Sequence, residues 1–450
     1  MYAVKWSRLD NAAKIFPPNT SKTDTKVFRF SCELHEAVDA EVLQYALNAA
    51  LEQFPFYRVV IRRGFFWYYF EQSDIQPEVR EEYKPPCAPL YDVNRKNLLF
   101  ELTYFRKRIN LELYHALSDG VGALQFLRTI VYYYLLRKHR GEIDENTCFD
   151  DSTASAEQRS RDAFDTYYTG GKVRGVPKLP SDARSSADAR SSAKARSSAK
   201  ARVAYHIRSE RFPESRLGVI EGHVSVAAVL QKAHEHNATL SEFLATVLIC
   251  SIREGMTLRD KERPVTVTIP VDLRKYFSTP SARNFFSTIN VTYDFSSEAS
   301  EGFSNPNGFE AVLAGVKASF KALLTPEKLQ EWLVQLLSLE HAFAIKVVPL
   351  AVKVPVLRNA AGKAEKEHTT TLSNIGKITM PGAMVPYIRL FDIFSSTSRP
   401  HLCICSFEDV LTISFASPQV SSDVQRSFFR TLSNCGIAVE VVSNTADLGA

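Results

Sequence analysis

Tyr114-His115-Ala116-Leu117-Ser118-Asp119-Gly120 is the stretch on which the reading of this chain turns. Before it, Leu98 to Phe105 and Ile109 to Tyr114 are rich in strand-forming residues and flank the polar turn Arg106-Lys107-Arg108. After it, Leu124, Leu127, Val131, Tyr134 and Leu135 recur at helical spacing, which predicts a helix from about Gly120 to His139. The basic run Arg137 to Arg140 suits the negative end of that helix, before Gly141. His115 therefore stands at a strand end, rigidly held, with its ring exposed by the loop that follows. Gly120 and Gly122 let the backbone turn sharply and the helix approach its neighbours. Histidine suits the removal of a hydroxyl proton near neutral pH, because its ordinary pKa lies close to that range.

Outward from this stretch the chain mixes helices and strands. Asp39 is placed to cap a helix carrying Val42, Leu43, Ala46, Leu47, Ala50 and Leu51 on helical spacing. Arg58 to Arg62 and Phe65 to Phe70 read as strands around a turn at Arg63-Gly64. Further on, helices are expected near 225–236, 241–254, 308–322, 326–345 and 421–435. Strands are expected near 264–270, 285–295, 368–374, 387–395, 401–407, 410–416 and 437–443. Mixed order with several hairpins predicts an α+β class, not a purely parallel doubly wound sheet.

A chain of 450 residues, 45% hydrophobic and 11% aromatic, is globular and too long for one compact core. From about Ala183 to Arg202 it repeats Ala-Arg-Ser-Ser-Ala-Asp/Lys with no large apolar residue, so ordering this segment would cost entropy and bury nothing. The expected division is a first domain at 1–175, a disordered Arg/Ser/Ala linker at 176–202 and a second domain at 203–450. The formal charge is +5, yet Asp182 to Arg202 alone carries +4. The remaining body is nearly neutral, which argues against nucleic acid as a partner. A basic tether for anionic lipid or RNA is the other reading of the repeat. The seven cysteines are odd in number and scattered, which fits reduced thiols and a cytoplasmic location. Met1 to Trp6 lacks the apolar stretch of a signal peptide, and no run reaches the length of a membrane span.

His-x-x-x-Asp-Gly, here His115 to Gly120, resembles the signature of the superfamily that holds chloramphenicol acetyltransferase, plant acyltransferases, peptide-synthetase condensation domains and alcohol acetyltransferases. Pro270-Val271-Asp272-Leu273-Arg274 resembles its second-domain segment, and Asn284-Phe285-Phe286-Ser287-Thr288-Ile289-Asn290 the strand that follows. Trp6 to Phe16 and Leu372-Ser373-Asn374-Ile375-Gly376 resemble a bacterial branch close to alcohol acetyltransferases. The resemblance implies two chloramphenicol-acetyltransferase-like domains, each a mixed sheet with flanking helices, and an active-site tunnel between them. Two departures narrow it. Tyr114 stands where peptide-forming condensation domains usually carry a second histidine, and the plant motif Asp-Phe-Gly-Trp-Gly is absent.

The resemblance also implies roles. His115 would act as general base while an alcohol oxygen attacks a thioester carbonyl, then protonate the leaving thiolate. Asp119 would pair with Arg274 as structural support, and Gly120 would lie close to the reaction. Ser373 and Asn374 either face the developing oxyanion or cap a strand-terminal turn. The donor would be acyl-CoA as co-substrate, with no permanently bound cofactor and no metal; the acceptor would be a small alcohol or a lipid-like molecule. Two rival readings remain open: a carrier-protein-bound donor, and a non-catalytic binding module that keeps the fold.

Other features carry less. His234 and His236 diverge by about 200° on a helix, too far for one ion. Cys403 and Cys405 share a strand face as small apolar residues. The aromatic runs Phe65 to Phe70 and Tyr132 to Tyr134 read as core or tunnel lining. The apolar segment Val347 to Leu357 reads as a buried strand or helix, with peripheral membrane contact as its alternative.

Overall fold

Helices form where a cap and an apolar face coincide. The computed structural model describes residues 6–147, 149, 154–169, 172–173, 203–298, 308–341 and 347–444; the expected linker at 176–202 lies outside them. Asp39 accepts hydrogen bonds from the N–H groups of Glu41 and Val42 and starts the helix Ala40–Gln53, which buries Leu43, Ala46, Leu47, Ala50 and Leu51. Thr239 and Glu242 close a reciprocal capping box at the head of Leu240–Glu254. Gly120–Lys138, Val226–Glu235, Gly308–Leu323, Pro326–His341 and Asp423–Asn434 are helices near the expected positions.

Two sheets carry the fold. The first has five strands in the order Ile388–Ser395, Val27–Leu34, Arg108–Tyr114, Phe100–Phe105 and Arg80–Glu81. The second has seven, in the order Phe286–Tyr293, Val265–Asp272, Thr370–Ile378, His401–Phe407, Val410–Ser417, Gly218–Ser225 and Glu440–Ser443. Thr370–Ile378 runs parallel to both its neighbours, while the remaining pairs of this sheet are antiparallel. The class is α+β with mixed sheets. A smaller sheet joins Trp6–Arg8, Tyr68–Gln72 and Val59–Arg63.

The two halves are interlocked. Ile388–Ser395 comes late in the chain, yet it pairs antiparallel with Val27–Leu34, setting Phe391 opposite Cys32 and Ile393 opposite Phe30. The strand His401–Phe407 is a shared wall. Cys403, Cys405 and Phe407 pack into one core and Leu402 and Ile404 into another, as the period of two requires. Arg108 of the first sheet donates to both carboxylate oxygens of Glu221 in the second, at 2.9 and 2.8 Å, and its Nε donates to Glu33 at 2.7 Å. A bidentate pair of this kind fixes direction as well as distance.

Several details differ from the sequence reading. Phe65 and Phe66 precede the strand Tyr68–Gln72, and both are exposed, at 71% and 43%. The Gly64 N–H donates to the Trp67 carbonyl, so these residues form a turn and not core. The strands Val27–Leu34 and Gly218–Ser225 were not anticipated. The 347–357 segment belongs largely to the helix Leu350–Lys366, which buries Leu350 but leaves Val352 and Val356 exposed. No helix among the described residues is long and apolar enough to cross a membrane.

Candidate active site

Tyr114 closes its strand opposite Val27, and the next N–H, that of His115, donates to the Lys26 carbonyl at 2.8 Å. The imidazole is thus delivered by the end of a central strand already locked in register. Phe16 stacks on it with ring centroids 4.4 Å apart, and Phe28 meets it edge-on at 5.1 Å. Nδ1 lies 3.2 Å from Asn284 Oδ1. Burial pulls the His115 pKa below the ordinary imidazole value, partly offset by a hydrogen bond to its own backbone and the nearby Asp119 charge. A neutral ring near pH 7 is the form that can accept a proton.

Both oxygens of Asp119 are taken up by partners within the fold. Its Oδ1 accepts from Gly122 N–H at 3.0 Å, capping the helix Gly120–Lys138. Its Oδ2 accepts from Phe285 N–H at 2.8 Å. Arg274 donates to both oxygens, at 2.8 and 3.2 Å, and also to Asp272 at 3.1 Å. Both members of the pair are almost wholly buried. One carboxylate therefore ties the loop after His115 to the 272–285 segment of the second half. The sequence reading did not include Asp272 as a second partner of the guanidinium.

Gly122 makes the same junction tighter. Ser118 Oγ donates to the Ala282 carbonyl at 2.6 Å, and a Cβ on Gly122 would overlap both that carbonyl and Ser118 Oγ. Gly122→Ala is expected to destabilise the protein by about 1–3 kcal/mol or more, because backbone stands in the way. Urea unfolding of the variant measures this; an unchanged midpoint would contradict the close approach. At Gly120, by contrast, an added Cβ meets only the tip of Ile375.

A cavity of about 300 Å³ opens between the halves. Phe28, His115 and Gly120 line it from one side, and Ser373, Asn374 and His401 from the other. Ser373 Oγ lies 2.9 Å from His401 Nε2. Asn374 donates to Ser241 Oγ at 3.0 Å and accepts from Gly376 N–H at 2.9 Å, across a bulge where Gly376 has φ +90°. Its amide is engaged in holding the turn. A larger cleft of about 630 Å³, lined by Trp6, Lys14, Trp67 and their neighbours, contains none of the sequence-predicted site residues. Among the described residues no group of three or more His, Cys, Asp or Glu is gathered as a metal would need. His236 pairs instead with Glu310 at 2.6 Å.

Sequence reasoning gave no role to His401, Asn284, Asp10 or Phe16, all of which gather around His115 or its cavity. His401 had a readable signal: it precedes Cys403 and Cys405 at the spacing that puts all three on one strand face. Burial lowers its pKa to about 4, so it is neutral.

A strand-borne histidine facing a cavity between two interlocked α+β halves, braced by a buried Asp–Arg pair, defines a two-lobed fold with its site at the seam. The chain has the fold of the chloramphenicol acetyltransferase/condensation superfamily. No family model matches the sequence, and no curated protein does. Solved structures match over nearly its full length. TRI3 trichothecene 15-O-acetyltransferase from Fusarium sporotrichioides is similar at 10% identity and TM-score 0.60, over 96% of both chains. Polyketide synthase associated protein 5 from Mycobacterium tuberculosis is similar at 14% and 0.57, over 95% of this chain and 96% of that one. A mutant starter condensation domain of rhizomide synthetase RzmA, in complex with C8-CoA, is similar at 12% and 0.59, over 95% of this chain and 94% of that one. At such identities the likeness is one of fold.

Proposed function

We propose that this protein is an O-acyltransferase that moves an acyl group from a thioester, acyl-CoA by preference, to an alcohol hydroxyl. The observation that carries the reading is the half-buried, neutral imidazole of His115 facing a cavity that both halves line. His115 removes the hydroxyl proton as the oxygen attacks the thioester carbonyl. The tetrahedral intermediate collapses with loss of thiolate, which takes the same proton back. No covalent enzyme intermediate is needed. Ser373 is the better of the two oxyanion donors, because Asn374 already spends its amide on Ser241 and Gly376. With His401 donating from Nε2, the Ser373 hydroxyl proton is left for the substrate.

The acceptor is a small alcohol or a lipid-like molecule, and the bacterial alcohol-acetyltransferase-like sequence segments favour simple ester formation over amide synthesis. The work would be done in the cytoplasm on a freely diffusing donor. Free-thiol release from a panel of acyl-CoA esters and carrier-protein thioesters, with pooled alcohols, tests this. Alcohol-dependent release from acyl-CoA supports the reading; release from carrier thioesters alone would favour a condensation-like enzyme, and none at all a binding module.

The pH dependence follows from the direction of the His115 shift. The base works only unprotonated, so kcat/KM should fall as pH drops through the enzyme's His115 pKa. Burial places that point below 6.5. The acid limb of the profile should have unit slope and a midpoint under 6.5; a midpoint above it would contradict the buried, neutral imidazole.

A further inference from the structure

We propose that Asn284, held by Asp10, is a positioning residue that fixes which nitrogen of His115 carries the proton. The inference rests on His115 being the base, and it adds how that base is kept in working form. Asn284 is fully buried, and its Nδ2 faces two acceptors: Asp10 Oδ2 at 3.2 Å and the Ala116 carbonyl at 3.4 Å. Turning the amide over would set its oxygen against both of them. The nitrogen is therefore committed to that side, and Oδ1 must face His115 Nδ1 at 3.2 Å. An amide oxygen can only accept, as can the ring's own backbone carbonyl, so Nδ1 bears the hydrogen and Nε2 keeps the lone pair.

Asp10 is itself fixed. Its Oδ1 accepts from Ala13 N–H at 2.7 Å, which leaves Oδ2 for Asn284. It too is fully buried, and burial raises its pKa to about 6 against the pull of the Arg283 guanidinium. The chain of contacts runs from the turn at Asp10–Ala13, through a residue next to the Asp119-bound Phe285, to the ring at the seam. It also explains why a segment so distant in sequence ends beside the base: Phe16, six residues after Asp10, is the ring that stacks on His115.

The test reads the tautomer without any substrate. In protein labelled with ¹⁵N-histidine, the resonances that vanish in His115→Ala should show a pyrrole-type Nδ1 and a pyridine-type Nε2 at neutral pH. Asn284→Ala leaves the ring only its own backbone as partner, so it should admit the Nε2–H tautomer in part and lower kcat by about 10- to 100-fold, as for partners that orient metal-bound imidazoles. KM for thioester and alcohol should hold. Asp10→Asn is the gentler variant: its one amide oxygen is claimed by Ala13 N–H, its NH2 then meets the Asn284 NH2, and the same drift of tautomer should follow. A wild-type His115 protonated at Nε2 overturns the proposal, even if neither variant folds. So does a folded Asn284→Ala that keeps both the Nδ1–H tautomer and kcat. If the tautomer follows Asn284 in a protein that transfers no acyl group, the positioning stands and the functional reading fails.

Discussion

Replacing His115 with alanine should lower kcat for thiol release by about 100- to 10,000-fold, the usual contribution of a positioned general base. That is about 3–5 kcal/mol of transition-state stabilisation. The residual rate should remain above the uncatalysed one, because on the proposed mechanism the cavity would still hold two reactants in one orientation. The ring also stacks on Phe16, so some stability will be lost with it. Thioester affinity, read by titration calorimetry, should change little, since the imidazole acts on the acceptor hydroxyl and takes up charge mainly in the transition state. A folded His115→Ala protein with wild-type turnover would end the general-base account. A protein that loses ligand binding in parallel with turnover would assign the residue to binding instead.

Asp119→Asn should show the largest loss of stability among single polar changes at the seam, about 3–5 kcal/mol as for a broken buried ion pair. The carboxylate satisfies two backbone N–H groups and both arms of Arg274 at once. An amide keeps the shape, yet it turns one acceptor into a donor facing either Arg274 or a backbone N–H. Asp272, 3.1 Å from the guanidinium, remains as a partner and should hold the cost near the lower end. Denaturant unfolding and soluble yield measure the loss. Activity should fall with it, because the Asp119 loop sets both His115 and Gly120. A variant of undiminished stability and full activity would show that the pair is not what braces the two halves.

Local patterns made most of the elements legible. The Thr239–Glu242 box, the Asp39 cap and the strand–turn–helix around His115 are each written in adjacent residues. What escaped depended on partners far along the chain. Gly218–Ser225 carries Glu221 and His223 at buried positions, which spoils any apolar alternation. Arg108, more than a hundred residues earlier, donates to both oxygens of the buried Glu221, with His223 3.6 Å away on the same strand. Ile388–Ser395 reads clearly as a strand, but nothing in it says that it completes the sheet of the first half. Thr370–Ile378 continues past its expected end because a bulge at Ile375 passes the pairing on, where Asn374 and Gly376 look like a stop.

The site divides the same way. His115, Asp119, Gly120 and Arg274 lie in short motifs; the structure brings the last three to one junction with His115 at its edge. His401, Asn284 and Asp10 contribute single polar side chains whose meaning is spatial. Asn284 opens a segment that was legible as a strand approach, without any hint that its amide would face the histidine.

The central claim is that the thioester carbonyl meets His115 in the cavity between the halves. A crystal structure with a non-hydrolysable thioether analogue of acyl-CoA tests it most directly. The account predicts room for one hydroxyl between His115 Nε2 and the acyl carbon, about 3 Å from each, with Ser373 on the carbonyl-oxygen side. An analogue bound instead in the aromatic cleft of Trp6 and Trp67, with the His115 cavity empty at saturation, would contradict it.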